Sequence, residues 1–300
     1  MWVFVTLGAV VFQATRTSMQ QKLRAQLSIT AAGFVRYFYG APIALAAVAI
    51  GVLAFGQSLD APPTGFWVTV TAAGIAQIVG TVALIAAFDR RGFAVGTVYS
   101  KTEVLQVALF SAVVLHEPLR VWGWVGAAVC VVGVGWLALT RRPDNAADAR
   151  GIFRLDAALA LGLLAGAGFA LASVWIRASS KSLGDHPAVF RALVTLAAMN
   201  SIQVLIYGAQ MLVTKPDDVR AVARTWRSSA VVGVLSVCGS AGWAIAVTLE
   251  NAAKVRALGQ VELLLTFAIS HRFLGERHRR REFAASALTV AGVAAVLAFG

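Results

Sequence analysis

Residues 155–176 read LDAALALGLLAGAGFALASVWI, an apolar run in which Asp156 is the sole charged residue. A helix that crosses the hydrocarbon core of a bilayer needs about 20 predominantly apolar residues. The run shows none of the apolar and polar alternation that is typical of the strands of a transmembrane barrel. Gly162 and Gly166 stand at a spacing that lets neighbouring helices pack closely. The stretch therefore predicts a membrane-spanning helix.

The whole chain has the composition of this stretch. Its 300 residues are 59% hydrophobic and 13% charged, with a mean hydropathy of +0.76, whereas soluble domains carry about 45–50% apolar and about 25% charged residues. We therefore predict an all-α integral membrane protein with ten transmembrane helices and no sizeable domain outside the membrane. The ten predicted spans are Trp2–Thr15, Ile29–Phe55, Phe66–Phe88, Ala94–Leu115, Val121–Thr140, Leu155–Ile176, Ala188–Val213, Ser229–Leu249, Val255–Phe273 and Phe283–Phe299.

The chain divides into two similar halves. The polar stretch 141–154, RRPDNAADARGIFR, is interpreted as a linker between a first repeat over 1–140 and a second repeat over 155–300. An offset of 159 residues then pairs Trp67 with Trp226, Glu103 with Glu262, Glu117 with Glu276 and Gly133 with Gly292. Five spans per half is an odd number, which predicts two inverted five-helix repeats. This architecture is typical of secondary transporters, which bind substrate near the bilayer midplane where the repeats meet.

Basic residues predict the orientation in the membrane. Eighteen of the 26 lysines and arginines lie in or at the borders of the odd connectors, counted from the amino terminus, and five lie in or at the borders of the even connectors. Cytoplasmic loops are enriched in lysine and arginine, so the odd connectors are predicted to be cytoplasmic and both termini to face outward.

Two glutamates inside apolar runs are the leading site candidates. Glu103 and Glu262 lie within YSKTEVLQVALF and LGQVELLLTFAI, where an ionised carboxylate is costly unless it is paired, hydrated or protonated. Helical spacing places Tyr99 and Gln106 on the face of Glu103. One interpretation is the wall of a polar cavity or a proton site. The alternative is a structural ion pair in each repeat, Glu103 with Arg36 and Glu262 with Arg191.

Other polar residues within the spans extend the set of substrate or proton pathway candidates. Arg36 and Arg191 each stand near one end of the second span of their half, where arginine either reaches the headgroups or clamps a carboxylate or phosphate. Lys101 is expected to point away from Glu103. Gln77 and Trp243 are further candidates, with packing as the alternative role for the tryptophan.

Several classes of site are not predicted. Glu117 and Glu276 each precede an apolar run, so we interpret them as structural residues at helix starts. The sequence lacks H-E-x-x-H and G-x-x-x-x-G-K-[ST] motifs, and Cys130 and Cys238 have no metal-ligand spacing. We therefore expect no metal, no cofactor and no enzymatic activity. The net charge of +12 is attributed to topology and not to nucleic-acid binding.

The repeated segments TEVLQVALFSAVVLHEPL (102–119) and VELLLTFAISHRFLGERH (261–278), each followed by a glycine in a later helix, resemble the EamA-type repeat of the drug/metabolite transporter superfamily. The resemblance implies ten helices in two inverted repeats and export of amino acids, metabolites or drugs. Family members often have proline after the intramembrane glutamate, whereas Val104 and Leu263 stand here, so no proline-dependent kink is predicted. Many relatives are described with both termini in the cytoplasm, opposite to the charge count.

We therefore expect a secondary transporter of the inner (plasma) membrane that exports a small metabolite by alternating access of a central cavity. Its expected partners are a small-molecule substrate and membrane lipids, with protons as a candidate coupling ion and a monomer or homodimer as the assembly. A non-transporting membrane scaffold or assembly factor is the alternative from another class. It predicts ion pairs that are closed on themselves in a dry interior.

Overall fold

The computed structural model describes residues 1–23, 26–140, 157–262 and 280–300, which are helical with short turns and contain no strand. The predicted linker 141–154 and Glu276 lie outside these residues. The helices are α1 (Trp2–Leu23), α2 (Ile29–Phe38), α3 (Gly40–Phe55), α4 (Thr64–Ser100), α5 (Glu103–Val114), α6 (Val121–Thr140), α7 (Ala157–Lys181), α8 (Ala188–Thr214), α9 (Pro216–Arg224), α10 (Trp226–Leu249), α11 (Ala252–Gly259) and α12 (Arg280–Phe299).

Six stretches within the described residues are long and apolar enough to cross a membrane: Ile29–Phe55, Thr64–Ala87, Ala157–Lys181, Ala188–Thr214, Trp226–Leu249 and Arg280–Phe299. Three shorter apolar stretches accompany them: Trp2–Arg16, Glu103–Val114 and Val121–Leu137. A multi-pass membrane protein is therefore supported, while the number of ten spans stays a prediction. The boundaries differ at several connectors. α4 continues through residues 89–93, which we expected between two spans, and α1 continues to Leu23, beyond the predicted end of the first span at Thr15. Arginine, which stands at positions 90 and 91, is a good helix former, so composition does not end the helix there.

The described chain forms two compact units, and each draws on both halves of the sequence. Unit 1 comprises Met1–Ile78 and Ala172–Glu250, and unit 2 comprises Val79–Leu171 and Asn251–Gly300. The boundaries between the units fall within α4, within α7 and between α10 and α11.

In unit 1, α1 packs along α10, and α8 packs on α2, α3 and α10. Tyr207 of α8 lies at the centre of an aromatic core, with its ring edge-on to Phe34 at 5.8 Å and its hydroxyl donating to the Thr30 carbonyl oxygen. The Ser28 side chain caps α2 by accepting a hydrogen bond from the Ala31 N–H, and its hydroxyl contacts the Asp218 carboxylate. These contacts attach α9 to the start of α2.

A buried arginine closes the end of α10. Arg177, counted as a connector residue in the sequence, is 8% exposed. Its Nη1 donates to the carbonyl oxygens of Val247, Thr248 and Glu250. The last carbonyl groups of a helix lack partners within the helix, so Arg177 satisfies them and has a structural role.

In unit 2, α6 and α12 form a close pair that depends on glycine. A Cβ atom on Gly133 would lie 2.6 Å from the Thr289 nitrogen, and one on Gly292 would overlap with the Cys130 backbone. Because the offset of 159 relates Gly133 to Gly292 and Cys130 to Thr289, these two contacts are equivalent between the sequence halves. The duplicated glycines are thus required by close approach of the backbones.

Candidate functional site

Two helices are interrupted at equivalent positions in unit 2. α4 ends at Ser100, Lys101 and Thr102 form a turn, and α5 begins at Glu103. In the second half, α11 ends at Gly259, Gln260 is a turn residue, and helix resumes at Val261. The offset of 159 relates Lys101 to Gln260. Interrupted helices at matching places in two repeats are typical of binding sites in secondary transporters.

The interruptions place four charged side chains in two ion pairs. Lys101 Nζ lies 3.6 Å from Glu262 Oε2, and Arg256 Nε lies 3.1 Å from Glu103 Oε1. All four side chains are between 10% and 18% exposed. Each pair joins a residue of the first sequence half to one of the second. The four formal charges sum to zero, which lowers the cost of keeping them in an apolar environment.

The partners of the glutamates differ from the structural pairs considered in the sequence. Glu103 pairs with Arg256 and not with Arg36, and Glu262 pairs with Lys101 and not with Arg191. The side chains of Lys101 and Glu103 have different partners because Lys101 lies in the turn between α4 and α5, whereas Glu103 is the first residue of α5. The expectation that Lys101 points away from Glu103 agrees with this arrangement.

Amide side chains beside the ion pairs have acceptor oxygens without donors. Gln106 donates through Nε2 to Thr102 Oγ1 and to the Leu163 carbonyl oxygen, both at 3.3 Å. Its Oε1 and the Oε1 of Gln260 are buried and accept no hydrogen bond. A Cβ atom on Gly166 would lie 2.8 Å from Gln106 Oε1, so glycine there makes room for the amide. Unsatisfied buried acceptors are rare and point to function or to a missing donor.

Glu103 Oε1 is a third buried acceptor that receives no hydrogen bond. Arg256 Nε lies 3.1 Å from it, but its N–H is not aligned with this oxygen, so the contact is an ion pair without a hydrogen bond. Charge-assisted hydrogen bonds are about twice as strong as neutral ones. This pair is therefore held by the attraction of the two charges and not by a directed hydrogen bond.

Two candidates from the sequence lie in hydrogen-bonded positions in unit 1. Gln77 Oε1 accepts a hydrogen bond from Gln203 Nε2 at 3.0 Å, and Gln203 also donates to the Gly74 carbonyl oxygen. Trp243 Nε1 donates to Gln13 Oε1 at 2.9 Å. These contacts join helices that pack together, α8 with α4 and α10 with α1. The packing role considered for Trp243 agrees with this position.

The two candidate arginines of unit 1 occupy different environments. Arg36 lies in the last turn of α2, is 7% exposed, and its guanidinium stacks over the Tyr37 ring at 5.0 Å. Arg191 lies in the first turn of α8 and donates through Nη1 to the Gly184 carbonyl oxygen at 3.0 Å. With Asp60 and His186, it lines a cavity of about 200 Å³.

The remaining predicted residues add little to the cluster. The side chain of Tyr99 lies outside the described part of the structure. Glu117 lies in the turn before α6, and its carbonyl oxygen accepts from Asn251 Nδ2 at 3.3 Å, so its role at a helix start stays a prediction. Arg256 and Gln260 were missed as site residues. Gln260 could have been found from its equivalence with Lys101 under the offset of 159. Arg256 could have been found as a cation close in sequence to Glu262.

Comparison with known proteins places this arrangement in a family. The profile of the EamA-like transporter family matches residues 1–139 and 157–298. The chain belongs to the EamA-like transporter family. This confirms the resemblance of the repeated segments, and it identifies the EamA-like chain as a membrane protein of a transporter family and not of an enzyme family.

A crystal structure of another protein is similar to this EamA-like chain, with a TM-score of 0.72 and 16% sequence identity. The similarity covers 99% of this chain and 96% of that chain. At this identity it extends to the fold alone. No curated protein matches the chain.

Proposed function

We propose that this EamA-like protein is a secondary transporter that exports a small metabolite, such as an amino acid or a drug-like compound, by alternating access. The observation that carries the proposal is the pair of helix interruptions at Lys101–Thr102 and Gln260, with buried charges at both. Such interruptions supply half-helix ends and free polar groups for a substrate within the membrane.

The proposed architecture is ten transmembrane helices in two inverted repeats, over 1–140 and 155–300. The two family matches, one in each half, support this organisation. The equivalent contacts of Gly133 with Thr289 and of Gly292 with Cys130 support it further, since a twofold relation between repeats requires contacts to occur in such pairs. The location proposed for the protein is the inner (plasma) membrane.

In the proposed mechanism, the ion pairs connect the repeats in one state of the transport cycle. A substrate charge or a proton that binds Glu103 or Glu262 removes the need for the Arg256 or Lys101 partner. The pair between the repeats then separates, because a cation and a neutral group attract each other far less than two opposite charges. Protons are therefore the proposed coupling ion.

A non-transporting scaffold is the second candidate. It predicts ion pairs closed on themselves, and the pairs of Glu103 and Glu262 agree with that. The interruptions of two helices at the equivalent positions Lys101–Thr102 and Gln260 favour transport, because such breaks are typical of binding sites in secondary transporters.

The decisive test is solute flux in proteoliposomes. Purified protein is reconstituted, and flux of labelled amino acids and lipophilic cations is measured in both directions against protein-free vesicles. We expect protein-dependent flux of at least one solute. A complete absence of flux across the panel would support the scaffold.

The glutamates are expected to control that flux. Glu103→Gln and Glu262→Gln each remove a charge that balances a buried cation, so we expect flux to fall by at least about tenfold, which corresponds to about 1.4 kcal/mol. Asp217→Asn is the control, because that carboxylate is 89% exposed on α9. Flux and pH dependence equal to wild type in both glutamine variants would assign the glutamates to the scaffold.

The orientation is a separate prediction. The charge distribution predicts that both termini face outward. Compartment-sensitive reporters fused to each terminus measure this orientation directly. Reporters that show both termini in the cytoplasm would contradict the prediction and agree with the orientation described for many relatives.

A further inference from the structure

The end of unit 1 at which α10 begins carries an arginine with no acidic partner among the described residues. The Arg227 guanidinium lies over the Trp226 ring, 5.5 Å from its centroid. The acidic residues of the preceding helix have other partners, since Asp217 pairs with Arg220 at 3.0 Å and Asp218 contacts the Ser28 hydroxyl. Trp226 is 56% exposed, as is typical of tryptophan at the membrane–water interface.

A cavity of about 340 Å³ lies beside this arginine. Its polar lining consists of Arg227, Ser228 and Gln26, and its apolar lining consists of Met19, Leu23, Val231 and Val232. Val231 and Val232 come one helical turn after Arg227 and Ser228. The cavity therefore changes from polar to apolar along α10.

A separate apolar groove of about 680 Å³ lies on the neighbouring face of α10. Ala230 and Val234 line it together with residues of α3 and α8, among them Leu45 and Leu205. The helical rise of 1.5 Å per residue places Ala230 and Val234 roughly 5–10 Å along the helix from Arg227. A charged headgroup and the start of an acyl chain in a phospholipid are separated by a similar depth.

We propose that this surface of unit 1 is a specific binding site for an anionic phospholipid. The lipid phosphate contacts Arg227 and Ser228, and one acyl chain passes over α10 into the groove at Val234. The apolar walls exclude a free phosphate ion as the preferred ligand. Arg227, the one cation among the described residues that line the cavity, favours an anionic headgroup over a zwitterionic one. Lys215, Arg220 and Arg224 in the same connector attract anionic lipids to this end of the protein.

The test compares lipid-dependent thermal stability of detergent-purified variants. Unfolding midpoints are measured against graded phosphatidylglycerol or phosphatidylcholine with identical acyl chains. We expect phosphatidylglycerol to stabilise wild type at lower concentration than phosphatidylcholine. In Arg227→Gln, the half-maximal phosphatidylglycerol concentration should rise about fivefold, the effect expected of one basic residue at an anionic surface.

Arg224→Gln is the matched control, because it removes the same charge from an exposed position in the same connector that does not line the cavity. It should raise the half-maximal phosphatidylglycerol concentration clearly less than Arg227→Gln does. Val234→Trp should weaken the phosphatidylglycerol effect without a change in charge, because it fills the groove. Equal responses of Arg227→Gln and Arg224→Gln would overturn the proposal. So would equal protection by inorganic phosphate, or a Val234→Trp response identical to wild type.

Discussion

Lys101→Glu is expected to abolish transport and to destabilise the protein, because it places a second carboxylate beside Glu262 in the buried cluster of unit 2. Breaking a buried ion pair costs about 3–5 kcal/mol when one charge is left uncompensated. The same loss is expected for Glu262→Lys, which leaves two cations together. Flux in proteoliposomes and the unfolding midpoint in detergent measure the two effects.

The double variant Lys101→Glu with Glu262→Lys restores opposite charges, so we expect it to regain most of the stability lost by either single variant. Arg220→Glu is the control, since Arg220 and Asp217 form an exposed pair, and exposed pairs contribute about 0–1 kcal/mol. Additive losses in the double variant would show that the 3.6 Å contact contributes nothing. Recovered stability without recovered flux would show that transport requires the carboxylate at position 262 and the cation at position 101.

Gly292→Leu is expected to prevent the close packing of α6 and α12. A Cβ atom at this position already overlaps with the Cys130 backbone, and backbone cannot move aside as a flexible side chain can. Adding a few methylene groups to a packed core costs about 1–3 kcal/mol. Leucine adds a whole side chain where glycine has none, so we expect the loss of stability to reach at least that range. A lowered unfolding midpoint and a lower yield of monodisperse protein are the expected results.

Gly133→Leu should behave like Gly292→Leu, because the two positions are equivalent and a Cβ atom on Gly133 lies 2.6 Å from the Thr289 nitrogen. Gly8→Leu is the control, since a Cβ atom on Gly8 of α1 meets no atom within 4 Å. Wild-type stability in both interface variants would contradict the close approach of these helices.

The sequence predicted the features that depend on composition and duplication. Apolar runs predicted helices, because a segment within the membrane must form hydrogen bonds between its own backbone N–H and C=O groups. The shared spacing of Glu103 and Glu262 predicted a repeated site, and both glutamates lie in one cluster of unit 2. The sequence showed that Gly133 and Gly292 occupy equivalent positions in the two halves. It did not predict that each lies where α6 and α12 approach closely.

The sequence could not predict which cations pair with the glutamates. Lys101 is two residues before Glu103 but pairs with Glu262, and Arg256, at the start of the predicted span Val255–Phe273, was not considered as a partner of Glu103. The helix interruptions were also not predicted, since no proline or glycine stands at Lys101–Thr102, and the single glycine at the second break, Gly259, is tolerated within helices. Tertiary packing sets these breaks, and local propensity is too weak to show them.

Counterflow tests the central claim most directly. Vesicles containing the protein and a high concentration of unlabelled substrate, identified from the flux panel, are diluted into buffer with a trace of the labelled compound. An alternating-access transporter predicts that the label transiently accumulates inside above its external concentration, because the binding site exchanges internal for external substrate. Label that only approaches equilibrium, without an overshoot, would contradict the account.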